Sequence, residues 1–519
     1  MSGQSGHPLG LFSVEEKILT LEELTQQCAS YRQQGLRLVL CHGAFDLLHP
    51  GHLRHLQRAA QEGDRLIVTL TADRFITKGP GRPVFPEHLR AEGLSSLACV
   101  HHVAIVHEAS GLTAIHAVQP HVYAKGKDYQ NAQDDITGNI LLEKQAVESH
   151  GGILFFTDEV TFSSSSLLNE YFDVFSPITR EYLKSFRANH FSEEIVEQLR
   201  GLSKLRVLVI GEAIIDEYCY VSPLGQTGKS GNILAVRYSN RELFAGGSLA
   251  VANHLAGFAA KVTLLAGIGK DREQEAFIRS KLAANVKPVL YKFEEAPTLV
   301  KKRYVSDNNK LFEVYHYDEN PLTPAMEESL SQWIRDHGKN FDLVVVPDYG
   351  NGFITTAMVQ AICDSSRFLA VNTQINSGNR GYHVITRYPR ADFVSLNEPE
   401  ARLAAHNRHS PIGEVAQWIS TRLHTTHTAI TQGTHGAMLI DNRQGQQLHT
   451  PALSTKVVDR IGAGDAFLAL ASLCLAGGIS SETALFIASA AAALDVQIVC
   501  NREPVSPVNL IKFINTLLK

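Results

Sequence analysis

Two stretches of this 519-residue chain hold residues whose types and spacing could do chemistry. The first, Cys41-His42-Gly43-Ala44-Phe45-Asp46-Leu47-Leu48-His49-Pro50-Gly51-His52, joins the apolar run Leu38 to Leu40 to an expected helix. Pro50 suits the first turn of a helix and Gly43 permits close backbone approach, so helix N–H groups and the imidazoles of His49 and His52 would converge at one N-terminus. That is a place for phosphate. In a nucleotidyl transfer a substrate phosphate oxygen attacks the α-phosphorus of a nucleoside triphosphate. The enzyme must neutralise charge growing on the non-bridging oxygens and on the departing pyrophosphate. His49 and His52 can donate those hydrogen bonds.

The second stretch, Val457-Val458-Asp459-Arg460-Ile461-Gly462-Ala463-Gly464-Asp465-Ala466-Phe467, runs into the apolar segment Ala466–Leu475. Its glycine-linked N–H groups would point from a helix N-terminus toward an anion, with Asp465 beside the phosphoryl acceptor. A carboxylate there can take the proton of an attacking sugar hydroxyl while Mg²⁺ bridges the nucleotide phosphates. Taken alone, G-A-G-D also fits a glycine-rich helix cap with a structural aspartate.

Both stretches need a scaffold, and the alternation of apolar runs with helical periodicity supplies it. Leu21–Gln34 has helical spacing and Gly35 can end it before a strand at 36–41. Further strands are expected at Arg65–Leu70, His102–Val106, His121–Ala124 and Ile153–Phe156. The pattern restarts at Leu205–Gly211, with later strands at Val344–Val346, Phe368–Val371, Phe393–Leu396 and Thr428–Thr431. Ligands of such parallel sheets sit beyond the strand C-termini. Between Ser176 and Leu202 the chain turns polar with helical spacing and no strand signal, which reads as a linker helix. Gly225-Gln226-Thr227-Gly228-Lys229-Ser230 ends like a P-loop, but Pro223 stands where the first glycine is needed and the sequence after it is β-like, so a β-lid over a pocket is expected there instead.

Composition narrows the function classes. A formal net charge of −5 offers no attraction to nucleic acid or anionic membrane, so neither is expected as a partner. The seven cysteines are scattered, odd in number and without C-x-x-C, which argues for reduced thiols and a cytoplasmic location. Met1 to Gly10 lacks a basic region followed by an apolar run, so no signal peptide is expected. The apolar region Ala466–Ala493 is broken by Gly477, Gly478 and Glu482 and reads as two buried helices. Despite 23 histidines there is no H-E-x-x-H and no Cys/His ligand spacing.

The residues H-G-A-F-D-L-L-H-P-G-H resemble the signature G-x-F-D-x-x-H-x-G-H of the cytidylyltransferase-like nucleotidyltransferase superfamily, with every fixed position matched. Lys78-Gly79-Pro80-Gly81-Arg82-Pro83, Lys125-Gly126-Lys127-Asp128-Tyr129 and the serine run before Leu167-Leu168 resemble loops of sugar-phosphate nucleotidyltransferases, especially the transferase half of bifunctional heptose-phosphate enzymes. The resemblance covers residues 17–172. It implies that His49 and His52 are catalytic, and that Gly43, Phe45, Lys78, Arg90, Lys125, Ser163, Ser164 and Ser165 surround the triphosphate of ATP or CTP and a sugar phosphate.

The second stretch resembles the D-x-x-G-A-G-D-x-F signature of ribokinase-like (PfkB) carbohydrate kinases, and four further matches follow in family order over residues 203–519. The resemblance implies Asp465 as base and Gly462, Ala463 and Gly464 as anion hole. It places Thr431, Gly433 and Gly436 in a loop on ATP, Asn397 and Glu400 (the N-x-x-E match) near Mg²⁺ and phosphate, and Asp216 with Gly246 and Gly247 on the sugar. Asp459 is implied to help a monovalent cation site for K⁺. Ala250 stands where the family often has Asn, and Asn253 is expected to replace it on the sugar; Arg460-Ile461, Asn351 and Asn372 are further departures. The order of the halves is the reverse of that usual in bifunctional heptose-phosphate enzymes.

The expectation is an α/β protein of two doubly wound, mainly parallel-sheet domains. Residues 1–175 form a Rossmann-like nucleotidyltransferase, 176–202 a linker helix, and 203–519 a ribokinase-like kinase with a small β-lid. The expected function is bifunctional activated-sugar biosynthesis on sugar phosphates and nucleotides, in a homo-oligomer, a dimer. The competing reading keeps one half catalytic and makes the other a ligand-sensing or assembly module.

Overall fold

Strand β1 (Leu38–Gly43) shows why the first sheet forms: Leu38, Val39, Leu40 and Cys41 are all fully buried, because a parallel strand covered by helices on both faces must be apolar throughout. The structure is a computed structural model, and it describes residues 14–76, 82–127, 139–157, 175–226, 233–307, 309–379 and 381–519. The chain divides into two compact units, residues 1–174 with 511–517 and 519, and residues 175–510 with 518.

In the first unit β1 is joined by β2 (Arg65–Thr71), β3 (His102–Val106), β4 (Val122–Gly126) and β5 (Ile153–Thr157), all parallel, in the order β3-β2-β1-β4-β5. The chain winds outward from β1 to β3, then returns to β4 on the other side. The sheet therefore splits its connections between β1 and β4, and the crevice beyond Gly43 and Gly126 is where a ligand fits. The first long helix, Leu21–Gln33, is set by a reciprocal capping box of Thr20 and Glu23.

The second unit is built on β6 (Arg206–Ile210), from which the chain enters β7 (Ala213–Gln226) and β8 (Leu234–Gly247). There follow β9 (Lys261–Ile268), β10 (Val286–Lys292), β11 (Leu299–Ser306), β12 (Asn309–His316), β13 (Leu343–Asp348), β14 (Leu369–Thr373), β15 (Phe393–Asn397), β16 (His427–Thr431), β17 (Ala437–Asp441) and β18 (Gln446–Thr450). A nine-stranded sheet runs β10-β9-β6-β13-β14-β15-β16-β17-β18, parallel as far as β16 and antiparallel in its last two pairings. A four-stranded sheet, β12-β11-β7-β8, is the lid. The P-loop-like residues divide between β7 and the stretch 227–232, which lies outside the described residues.

The stretch 176–202, expected as one linker helix, is instead two helices, Pro177–Asn189 and Ser192–Gly201, parted where His190 turns extended (φ −135°, ψ 121°). They are not a bare connector. Phe186 stacks on Phe486 at 4.3 Å between ring centroids, and the Tyr182 and Thr450 hydroxyls hydrogen-bond at 3.0 Å, so the first helix is anchored within the second unit, to which it belongs. The apolar region after Asp465 is two buried helices, Ala463–Ala476 and Ser481–Asp495. Among the described residues no helix is long and apolar enough to cross a membrane.

Candidate active sites

In the first unit His49 is the N-cap of the Pro50–Ala60 helix: its Nδ1 accepts the Gly51 N–H at 3.1 Å, which leaves the proton of the neutral ring on Nε2. His52 donates from Nδ1 to the Leu47 carbonyl at 3.1 Å, so Nε2 is the atom that gains a proton when this ring is charged. The two rings stack with centroids 3.9 Å apart, and Phe45, in the left-handed region at φ 47°, meets His52 edge-on at 5.5 Å. Burial lowers the pKa of His49, keeping it neutral and a donor through Nε2. Gly43 ends β1 directly under this turn.

The remaining polar residues of this unit mostly build the turn. Arg90 was expected on the triphosphate, but it is 2% exposed and its guanidinium donates to the Ala44, Thr71 and Phe85 carbonyls and to Asp73 Oδ1. With that many oxygens to hold, it positions the loops after β1 and β2 rather than facing a ligand. Lys125, next to last in β4, pairs with Glu143 at 2.9 Å, and Glu143 also accepts the Gly111 N–H, so this cation too is engaged within the fold. Asp46 accepts the Val84 N–H at 2.6 Å, tying the signature to the loop that carries Arg82. One turn beyond His52, His55 bonds Thr157 Oγ1 at 2.8 Å, and burial holds its pKa down at about 4. Lys78, Ser163, Ser164 and Ser165 lie outside the described residues.

In the second unit a cavity of about 1170 Å³ gathers residues far apart in sequence: Asp216, Gly247, Asn397, Thr431, Gly433, Gly436, Gly462, Ala463, Gly464 and Asp465 all line it. Gly462 caps the Ala463–Ala476 helix at φ 105°, a conformation that favours glycine, and a Cβ there would fall 2.3 Å from Asn501 Oδ1. The next amides thus face the cavity from a helix N-terminus. Asp465 stands in the first turn with Oδ1 accepting the Tyr349 hydroxyl at 2.7 Å. Burial, opposed by that hydrogen bond, pushes its pKa up to about 7, with Asp216 raising it further and Lys301 lowering it. A carboxyl half ionised at neutral pH is matched to taking a proton from a hydroxyl.

The wall on the lid side comes from β7, β8 and β11. Asp216 is hydrogen-bonded by Arg303, which also donates to Glu313 at 2.9 Å. Gly246 does not line the cavity; it backs Asp216 so closely that a Cβ would lie 1.9 Å from the carboxylate. Lys301 is 5% exposed, lies between the rings of Tyr315 and Tyr349 at 5.4 and 5.6 Å, and faces the cavity. Also on the wall, Glu398 pairs with Arg402 at 2.7 Å and accepts a hydrogen bond from Gln432 Nε2 at 2.9 Å.

Three expected roles change. Asn253 is spent inside the fold, its Nδ2 donating to the Lys281 carbonyl and its Oδ1 accepting the Ala283 N–H, so it is not on the sugar. Glu400 closes a capping box with Asn397 and also accepts the Ile375 N–H; it is absent from the cavity wall and holds Asn397 in place instead of presenting a metal ligand. Asp459 accepts from Lys310 at 2.7 Å, Tyr218 at 2.7 Å and two backbone amides, so its carboxylate is engaged by groups of the fold itself. Among the described residues there is no cluster of three or more His, Cys, Asp or Glu able to hold a metal.

Tyr349, Lys301 and Arg303 were not found from sequence. Their signal was present but faint: Lys301 and Arg303 are buried cations at alternate positions of one strand, and Tyr349 follows β13 at its C-terminal end.

A model of the pfkB family carbohydrate kinases matches residues 204–504, and one described as cytidylyltransferase-like matches residues 40–170. The bifunctional protein HldE of Nitrobacter hamburgensis is 37% identical over 165 residues, 31% of this chain and 32% of its own length. That of Citrifermentans bemidjiense is 27% identical over 308 residues, 58% of this chain and 62% of its own length. Each alignment thus spans less than two thirds of the relative. The structure of phosphofructokinase-2 from Escherichia coli, in complex with substrates and products, matches 61% of this chain and 100% of that one with a TM-score of 0.50 at 14% identity, a likeness of fold. With more than half its length matched by that model, the chain belongs to the pfkB family of carbohydrate kinases and carries a cytidylyltransferase-like unit ahead of the kinase.

Proposed function

We propose that the chain is a bifunctional enzyme of activated-sugar biosynthesis. Its second unit phosphorylates a sugar or sugar phosphate with ATP. Its first unit couples a sugar 1-phosphate to a nucleotide from ATP or CTP and releases pyrophosphate, giving an ADP- or CDP-heptose-like product. The observation that carries the kinase assignment is Asp465, held by Tyr349 at the mouth of a glycine-capped helix in the same cavity as Asp216. In that arrangement Asp465 takes the proton of the acceptor hydroxyl, and the amides after Gly462 stabilise the transferring phosphoryl group. Mg²⁺ enters as MgATP, the substrate.

For the first unit the support is the stacked pair His49 and His52 at a helix N-terminus beyond the β1–β4 crevice. Neutral His49 donates from Nε2 toward developing phosphate charge, and the protonated form of His52 donates from its own Nε2. Binding here is electrostatic and positional, with no covalent intermediate on the protein. A second copy of the chain is the macromolecular partner, a reading that the exposed Leu234, Phe312 and Val314 of the lid sheet support and sedimentation tests.

The deciding experiment incubates the protein with each nucleoside triphosphate and a panel of sugar 1-phosphates while pyrophosphate is measured, and separately with ATP and sugars or sugar phosphates while ADP is measured. Pyrophosphate release dependent on a sugar 1-phosphate, together with sugar-dependent ADP formation, is expected. Absence of either removes that half of the assignment.

A further inference from the structure

We propose that Tyr349 is a positioning residue for phosphoryl transfer, one that orients the Asp465 carboxyl and sets the pH at which it works. The proposal rests on the kinase reading of the cavity and deepens it.

The geometry is specific. Tyr349 directs its hydroxyl at Asp465 Oδ1 from 2.7 Å, which leaves Oδ2 as the oxygen for an acceptor hydroxyl. The tyrosine is itself fixed at three points. Its backbone N–H donates to Glu212 Oε2 at 3.2 Å, its carbonyl accepts from Asn376 Nδ2 at 2.7 Å, and its ring carries the Lys301 ammonium on one face. Glu212 also accepts the Asn351 N–H, so one buried carboxyl organises both residues flanking Gly350. A side chain 4% exposed, clamped this thoroughly and pointed at the base, does more than fill space.

The charged groups that act on Asp465 come from several elements. Asp216 on β7 raises its pKa, Lys301 on β11 lowers it, and the Tyr349 hydroxyl lowers it. Asp495 on the Ser481–Asp495 helix and Glu400 feel its charge in turn. Tyr349 is the one group among these that donates a hydrogen bond to the carboxylate, and burial keeps its own proton on the oxygen. During the reaction the proton balance is simple. The acceptor oxygen loses its proton to Asp465 Oδ2 as its bond to the γ-phosphorus forms, the bond from that phosphorus to ADP breaks, and Tyr349 keeps its proton throughout.

Removing the hydroxyl destabilises the carboxylate, so the ascending limb of the kcat profile against pH should move to higher pH. For Tyr349→Phe the expected shift is about one pH unit, the scale of a lost hydrogen bond to a charged acceptor, giving about tenfold lower kcat below the limb and near-recovery above it. The KM for MgATP should stay within about twofold, as expected when a group acts at the reacting hydroxyl and not on ATP. Genetically placed 3-fluorotyrosine at position 349, a stronger acid and better donor, should move the limb the other way. A uniform loss across pH, or a limb that does not move in either variant, overturns the proposal. Carbon-13 NMR of labelled aspartate, with Asp465→Asn assigning the signal, reads the same shift without any substrate. That titration separates a failure of the tyrosine from a failure of the kinase assignment, which would show as wild-type protein forming no ADP.

Discussion

On the proposed assignment the two sites meet the same demand, negative charge on phosphate, with opposite materials. In the first unit two imidazoles sit at one helix N-terminus within four residues of sequence, and their Nδ1 atoms meet the backbone of that turn, at the Gly51 N–H and the Leu47 carbonyl. In the second a carboxyl works among carboxyls, and its usefulness depends on burial pushing its pKa up to about 7 and on partners contributed by β7, β11 and the loop after β13. The first site is local chemistry on a turn. The second is an environment, assembled by folding.

That contrast can be broken most directly at Asp465. Asp465→Asn keeps the shape but cannot accept a proton, so sugar-dependent ADP formation should fall by about 10³-fold or more, while MgATP still binds and pyrophosphate release by the first unit is untouched. The same variant tests the environment. A carboxyl whose folded pKa lies near 7 binds its proton more tightly folded than unfolded between about pH 4 and 7, so its contribution to stability is lost as pH rises through 7. Asp465→Asn should therefore melt above wild type at pH 8 and show no such advantage at pH 4. Equal melting at both pH values would mean the carboxyl is not perturbed.

At the local site, His52→Ala should lower nucleotidyl transfer by about 10²-fold, the scale of one lost transition-state donor, with ADP formation unchanged. If kinase turnover fell equally, the two sites would not be separate. A smaller effect is expected at Gly246→Ala. The added Cβ would push the Asp216 carboxylate aside, raising the KM for the sugar acceptor about tenfold with little change in the KM for ATP. An unaltered acceptor KM would remove Asp216 from the sugar wall.

The smallest catalytic effect is expected at Asn253→Ala. The amide ties its helix to Lys281 and Ala283, so its loss should cost about 1–3 kcal/mol of stability, read by denaturant unfolding, with sugar preference unchanged. A changed order of preference among sugars would restore Asn253 to the pocket.

What was legible beforehand follows the same division between local and assembled. The strands expected at 65–70 and 102–106 appear at Arg65–Thr71 and His102–Val106 because buried parallel strands are apolar runs that need no partner to be recognised, and the edge strand Ile153–Thr157, only partly buried, was still marked by its apolar run. The lid strand β12 was missed because only two of its residues are even half-buried, so it carries no apolar run. The helix at 176–202 was seen, yet its break at His190, its stacking on Phe486 and its hydrogen bond to Thr450 were not, since an amphipathic helix does not name what it packs against.

By itself the amino-acid sequence determined the α/β order, the turn that brings His49 and His52 to a helix start, and the glycine cap that precedes Asp465. Each of these is decided by residues within one turn or strand of each other, where spacing and backbone preference suffice. Tertiary structure alone decided which polar side chains remain for a ligand. Arg90, Asn253, Glu400 and Asp459 have the chemistry for binding, but long-range partners at Thr71, Ala283, Ile375 and Lys310 consume it. Tyr349, 116 residues from Asp465 in the chain, becomes the partner of its carboxyl for the same reason. A hydrogen bond is a property of two groups in space, and which pair meets is settled only when the strands that carry them are brought together.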